Sequence, residues 1–323
     1  MDKMAFGILK PSVKMAGWQP PRRKNRFSNL STNWAFLLVT VFLIMCYMSW
    51  DDIQYSLPSL KSTSRTIDSA SPLDPQKIAF LVETRPLPHL PALFTHMMTI
   101  VPPEWTFKFM GSPASIEFMR TSHPIARFEA SGKLQFLDMP SNYSLSDREK
   151  ISQMFTDLHL YRDILAPAEH LLIWQPDSIF CANAPTTLND FIKWDWIGAP
   201  WSKTAKYGGN GGLSLRKVSK IMEVLRNQTR RHGDGALEDL WMTQRIHELS
   251  GNVMPAANVS KTFSVESVWD EKPLGYHIGW LGVHHEQIWD NKSQVDHIME
   301  YCPEVKIILG MKLDNDKTVG VPR

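Results

Sequence analysis

The stretch HLLIWQPDSIFC, His170 to Cys181, is the point from which the chain can be read outward. Leu171 to Trp174 are apolar without alternation, the pattern of a strand covered on both faces of a sheet. Such a strand lies centrally. The run then passes into Gln175, Pro176, Asp177 and Ser178. Open α/β sheets bind ligands at the carboxyl ends of their strands. Gln175 and Asp177 are therefore candidate site residues, although an aspartate here also starts or caps turns.

Upstream, KIAFLVET from Lys77 is another short apolar run, ending in Glu83, Thr84 and Arg85. LPALFTHMMTIV follows as a helix, WTFKFMG as a strand, SIEFMRTS as a helix and LQFLDM as a strand. This alternation predicts an α/β fold with a mostly parallel sheet flanked by helices. SLSDREKISQMFTDLHLYRDILAP predicts one long helix, opened by a capping box of Ser146 and Glu149. Its residues Ile151, Phe155, Leu158, Tyr161 and Leu165 recur at helical spacing, and Pro167 ends it. Downstream, TLNDFIKW reads as helical, as do Ser214 to Arg226 and Ala236 to Leu249.

GGNGGLSLR, Gly208 to Arg216, sets four glycines around Asn210. Glycine loses much conformational entropy on folding, and a tight turn needs only one or two. Four predict a bare main chain that a ligand approaches closely, its amides facing that ligand and Asn210 holding a polar group of it; a plain loop is the other reading. The spacing is not that of a P-loop, and no clear strand leads directly into it, so a dinucleotide fingerprint is not expected. Arg216 either reaches a diphosphate or lies solvated on a helix. LEDLW puts Glu238 and Asp239 in the first turn of a helix, where the dipole favours acidic residues whatever their use. Either carboxylate also suits a general base. GYHIGWLGVHH offers His277, His284 and His285, and Trp201 and Trp280 offer faces for a sugar ring or fill core.

Residues 1–33 carry seven Lys/Arg and one acidic residue, so the net +2 divides into about +6 there and about −4 in residues 51–323. A mildly acidic body argues against a nucleic-acid partner. WAFLLVTVFLIMCYMSW, residues 34–50, is uncharged; at 1.5 Å per residue it spans roughly 25 Å, a short membrane helix. A buried core helix and a cleaved signal peptide are the competing readings. Basic residues before the span predict a cytosolic tail (1–33), a transmembrane helix (34–50), a flexible stem (51–76) and a lumenal domain (77–323) in the Golgi or ER membrane. Sequons at Asn142, Asn227, Asn258 and Asn291 agree with a lumenal setting. Cys181 and Cys302 form a disulfide or remain two buried thiols, and no cysteine spacing suits zinc.

Together, VETRP, WQPDSIFC, WIGAPW, GNGGLSLR, LEDLW and GYHIGW resemble an uncharacterised fungal and bacterial family of GT-A-fold glycosyltransferases, over roughly Ile78 to Trp280. GNGGLSLR is the most specific of these motifs. The resemblance implies a nucleotide-sugar donor, a glycan or glycoprotein acceptor, and a divalent cation, Mn²⁺ or Mg²⁺. It implies that Asp177 occupies the place of an Asp-x-Asp motif and holds the cation, with His277 completing the site. Gln175 stands where an aspartate is usual and adds no charge. Glu83, Thr84, Arg85, Gln175, Trp201, Asn210, Gly211, Gly212 and Arg216 are the residues expected around donor or acceptor. The resemblance favours Asp239 over Glu238 as the base of an inverting transfer. Two other functions compete. A glycoside hydrolase needs two suitably spaced carboxylates, and the neutral Gln175 suits a non-catalytic sugar-binding protein on the same fold.

Overall fold

The computed structural model describes Thr40 and residues 73–279 and 286–309. The chain divides into two units, residues 1–65 and 66–323, and all elements named below lie in the second. The expected membrane span 34–50 falls outside the described residues apart from Thr40, as do Trp280, His284 and His285. Among the described residues no helix is long and apolar enough to cross a membrane.

The architecture is α/β. Three strands, β1 (Lys77–Glu83), β2 (Thr106–Gly111) and β3 (Leu134–Asp138), run parallel, joined through helices α1 (Leu90–Ile100), α2 (Pro113–Arg120) and α3 (His123–Ala130). On the other side of β1 lies β4 (His170–Trp174), also parallel. Two short strands complete the sheet, β6 (Trp196–Gly198) and β7 (Leu213–Lys217), in the order β3-β2-β1-β4-β7-β6. β7 runs antiparallel to both its neighbours, so four contiguous strands are parallel and the two remaining pairings are antiparallel.

Period-two geometry sends alternate side chains to opposite faces. Ala79 and Leu81 join Phe94, Phe107, Phe109, Leu172 and Trp174 on one face, while Ile78 and Phe80 join Met110, Leu171, Ile173, Trp196 and Trp241 on the other. Both faces are covered, which is why β1 and β4 carry unbroken apolar runs. Phe94 sits 4.6 Å from Trp174, centroid to centroid, and anchors α1 beneath the strand that ends at the site.

Three sequence expectations are corrected here. The long helix is broken: α4 (Arg148–Phe155) is followed by a separate π-helical turn, Leu160–Ile164. Its N-cap is Asp147, which accepts from the Lys150 amide, rather than Ser146. Glu149 instead receives Arg230 and the Gly233 amide, so a tertiary ion pair takes the carboxylate away from the helix end. The helix expected from Ser214 is a strand at first: Leu213–Lys217 pairs between β4 and β6, and only then does α5 (Val218–Asn227) begin. The stretch His170–Cys181 holds two strands, because the chain turns at Gln175–Asp177 after β4 and β5 (Ser178–Phe180) enters a second sheet.

That second sheet has the order β5-β9-β8, with β8 at Ser264–Val265 and β9 at Gly275–His277. α6 (Glu238–Glu248) and α7 (Ala257–Phe263) precede it in the chain, and α8 (Glu286–Trp289), α9 (Lys292–Tyr301) and α10 (Lys306–Leu309) follow. Cys181 and Cys302, 121 residues apart and both buried, are disulfide-bonded with their Cα atoms 5.0 Å apart. The bond ties the end of β5 to the end of α9.

Candidate active site

Three strand pairings assemble the site. Trp174 lies opposite Leu213, which sets Gly212 beside Gln175. Ser178 lies opposite His277 in the β5–β9 pair, which brings the histidine next to Asp177. Val265 lies opposite Tyr276, so Glu266 meets the same histidine from the β8 side. Residues 102 positions apart thus make side-chain contact: Gln175 Oε1 is 3.3 Å from His277 Nε2.

His277 is 4% exposed and sits between two carboxylates. Its Nε2 lies 3.4 Å from Asp177 Oδ1 and its Nδ1 lies 3.1 Å from Glu266 Oε1. The Nδ1 contact is close enough for charge pairing but off the line that a hydrogen bond needs. Burial disfavours the imidazolium, yet Asp177 and Glu266 outweigh it and lift His277 to about 10. Glu266 also accepts from Asn210 Nδ2 at 3.1 Å, linking the histidine to the glycine run.

The glycine run divides into two pairs with different reasons for being bare. Gly208 and Gly209 have φ of 80° and 148°, conformations that favour glycine. A Cβ on Gly209 would lie 2.5 Å from the Gly198 carbonyl oxygen, so main chain packs on main chain there. Gly211 and Gly212 face the site. A Cβ on Gly211 would strike the Glu238 carboxylate, and one on Gly212 would strike the His277 ring and Gln175. The expectation that their amides face a ligand is corrected. The Gly211 amide donates to Asp239 Oδ2 at 3.0 Å and the Gly212 amide to Asn210 Oδ1 at 2.6 Å. Glycine here makes room for the protein's own polar side chains.

Beneath the run lies a buried ion pair. Arg216, 1% exposed, donates to both Glu238 oxygens at 3.1 and 2.9 Å and to the Gly211 carbonyl at 3.1 Å. Its guanidinium lies 4.0 Å from the Trp196 ring centroid. Burial raises Glu238 above the usual carboxylate range, and Arg216 opposes that rise. Two corrections follow. Arg216 does not reach a ligand, because the strand turns its side chain under the loop. Glu238, expected as a candidate base, is instead ion-paired through both oxygens with the buried Arg216. Asp239 differs in its partners: in the cavity that Glu238 also lines, it accepts from the Gly211 and Leu240 amides and is raised by burial.

Two cavities flank Gln175. One, about 310 Å³, is lined by Glu83, Thr84, Arg85, Leu145, Trp174 and Asp177 among others. Arg85 is half-exposed and clamps the buried Glu83 at 2.8 Å. The other, about 250 Å³, is lined by Asn210, Gly211, Gly212, Asp239, Glu266 and His277, with Arg148 and Ser152 from α4. Gln175 and Ile151 border both. Trp201, expected in this group, lines neither: it borders a third cavity. Glu266 was missed in the sequence. A lone acidic residue in the apolar SVESVW was the available signal, and only the β8–β9 pairing gives it meaning.

A divalent cation fits part of this set. Asp177 Oδ1 and Gln175 Oε1 both approach His277 Nε2, and carboxylate and amide oxygens suit Mn²⁺ or Mg²⁺. Among the described residues no three His, Cys, Asp or Glu side chains form a metal cluster. Asp177 and Glu266 lie on opposite ring nitrogens of His277, so they cannot meet at one ion. The protein therefore supplies a partial shell, as is usual for cations shared with phosphates.

Residues 133–277 match a family described as "Protein of unknown function (DUF5672)", a span that runs from β3 to the end of β9. No curated protein matches the chain. Among solved structures, the mannosyltransferase PcManGT from Pyrobaculum calidifontis, in complex with GDP-Man and Mn²⁺, is similar at 11% identity and a TM-score of 0.42, over 76% of this chain and 73% of that one. The apo-form glycosyltransferase GlyE of Streptococcus pneumoniae is similar at 9% identity and a TM-score of 0.43, over 75% of this chain and 64% of that one. Core-mannan synthase A of Aspergillus fumigatus, in an Mn/GDP form, is similar at 8% identity and a TM-score of 0.35, over 58% and 75%.

Proposed function

We propose that the chain is a glycosyltransferase moving a sugar from a nucleoside-diphosphate donor to a hydroxyl of a glycan or glycoprotein. One observation carries this reading: Asp177, Gln175 and His277 converge with Asp239 and the Gly211–Gly212 main chain between two adjoining cavities at the end of a buried strand. The donor diphosphate would lie near Asp177, with Arg85 at the cavity mouth. The residues that would hold a cation there are Asp177 and His277, aided by Gln175; when bound, it offsets charge on the leaving diphosphate. Proton binding at His277 competes with a cation.

Asp239 is the base in this reading. Two of its lone-pair sites are taken by amides, and a carboxylate has about four. A raised carboxyl is a better proton acceptor near neutral pH. Arg216 and Glu238 hold the Gly211 peptide in place and touch no reacting atom.

The setting in this proposal is a single-pass type II protein of the Golgi or ER membrane, anchored by residues 34–50 with 77–323 in the lumen. The disulfide supports an oxidising compartment, and Asn142, Asn227, Asn258 and Asn291 are all exposed. The deciding experiment is a thermal shift of the full-length protein with GDP and UDP, with and without Mn²⁺, followed by donor hydrolysis. A Mn²⁺-dependent rise in Tm is expected for at least one nucleotide. In Asp177→Ala, hydrolysis should fall by roughly 10²–10³ with the fold intact. Near wild-type turnover in that variant would displace the site.

A further inference from the structure

We propose that the third cavity, between Trp201 and Trp269, is a saccharide subsite on the acceptor side of the site. It is about 270 Å³ and is lined by Trp201, Ser202, Lys203, Ser267, Trp269 and Gln294 with apolar neighbours. Ligand pockets for drug-sized molecules are roughly 300–1,000 Å³, so this one suits a single small ring. Trp201 is 37% exposed, an unusual place for a large ring without a partner to cover it. A tryptophan face offers apolar area to the C–H face of a sugar, and nearby hydroxyl and amide groups suit its rim.

Polar groups share the wall with the two rings: Ser202, Lys203, Ser267 and Gln294 line the same cavity. Trp269 Nε1 is already held by Glu271 at 2.9 Å, which fixes the orientation of the second ring.

The cavity joins the candidate active site through two segments. Glu266 lines the cavity that holds Asp239, while its neighbours Ser267 and Val268 line this one. Gly208, at the start of the glycine run, packs so that a Cβ would lie 2.8 Å from the Trp201 ring. A chain of sugars can therefore lie along residues 266–269, its end at Asp239 and a further ring at Trp201. The acceptor role rests on the transferase reading; the ligand class does not.

The test uses full-length protein on an array of neutral and acidic oligosaccharides containing mannose, glucose, galactose and N-acetylglucosamine. Wild type should bind at least one saccharide. Trp201→Ala and Trp269→Ala should each weaken that binding at least about tenfold, and Trp201→Phe should recover part of it. Thermal shifts with GDP and UDP should stay at wild-type values in all three. Absence of saccharide binding by wild type overturns the proposal, as does wild-type affinity in Trp201→Ala. If Trp269→Ala does not fold, the exposed Trp201 decides alone. Saccharide binding that depends on Trp201, without any nucleotide shift, would sink the transferase reading and leave this subsite standing.

Discussion

Glu238 and Asp239 are neighbours in one helical turn and line the same cavity beside the glycine run, yet the structure gives them different partners. Below the run, Glu238 is closed in with Arg216 and braces the Gly211 carbonyl. Asp239 instead accepts from the Gly211 and Leu240 amides. The N–H and C=O of one residue, Gly211, are held by adjacent carboxylates, one directly and one through an arginine. Residue type does not separate support from chemistry here; the partner does. A buried guanidinium neutralises Glu238 through both oxygens, whereas Asp239 is held only by neutral amides.

The largest expected effect breaks this contrast on the Asp239 side. Asp239→Asn should lower turnover by roughly 10²–10⁴ while donor binding changes little. Equal loss of turnover and donor affinity would place Asp239 with Glu238 as support. Glu238→Gln, measured alongside, should show the reverse pattern, with stability moving more than turnover.

On the Glu238 side, Arg216→Leu strands a buried carboxylate, and breaking one side of such a pair costs about 3–5 kcal/mol. Urea titration reads that loss. The double variant Arg216→Leu with Glu238→Leu should recover much of it, since apolar pairs of similar volume replace buried ions well. A single variant as stable as wild type would mean that the brace carries nothing.

The two glycine pairs sharpen the comparison further. Gly209→Ala puts a Cβ against the Gly198 main chain at a φ of 148° and should lose about 1–3 kcal/mol of stability. Gly212→Ala meets side chains instead, the His277 ring and Gln175, which can shift. Its stability should change less and its donor affinity more. Matching profiles for the two variants would erase the distinction drawn within the run.

The smallest effect is a pH slope. His277 is raised from its ordinary value to about 10, so the stability it contributes is complete below pH 6.5 and lost as pH rises through about 10. Melting curves in chelator should decline across that window more steeply for wild type than for His277→Gln. Parallel curves would remove His277 from between its two carboxylates.

Much of the frame was legible because it follows from local pattern. Unbroken apolar runs at Lys77 and His170 marked strands buried on both faces, and their polar ends marked Glu83 to Arg85 and Gln175 to Asp177. LSLRK reads as helix because its apolar/polar alternation lasts only four residues and runs straight into the helical pattern from Val218. The capping box of Ser146 and Glu149 does not form because Arg230 claims Glu149 from 81 residues away. Arg216 looked like a ligand contact because an arginine after a glycine run gives no sign of which way its side chain turns.

By itself the amino-acid sequence determined the α/β alternation, the strand ends and the positions that must be bare, because propensity and periodicity act over a few residues. Only the tertiary structure decided that Gly211 and Gly212 clear space for the protein's own carboxylate and imidazole, that Glu266 joins them, and that Cys181 meets Cys302. Those outcomes depend on strand register. Register is fixed by which side chains fill both faces of the sheets together, a property of the packed whole that no single stretch contains.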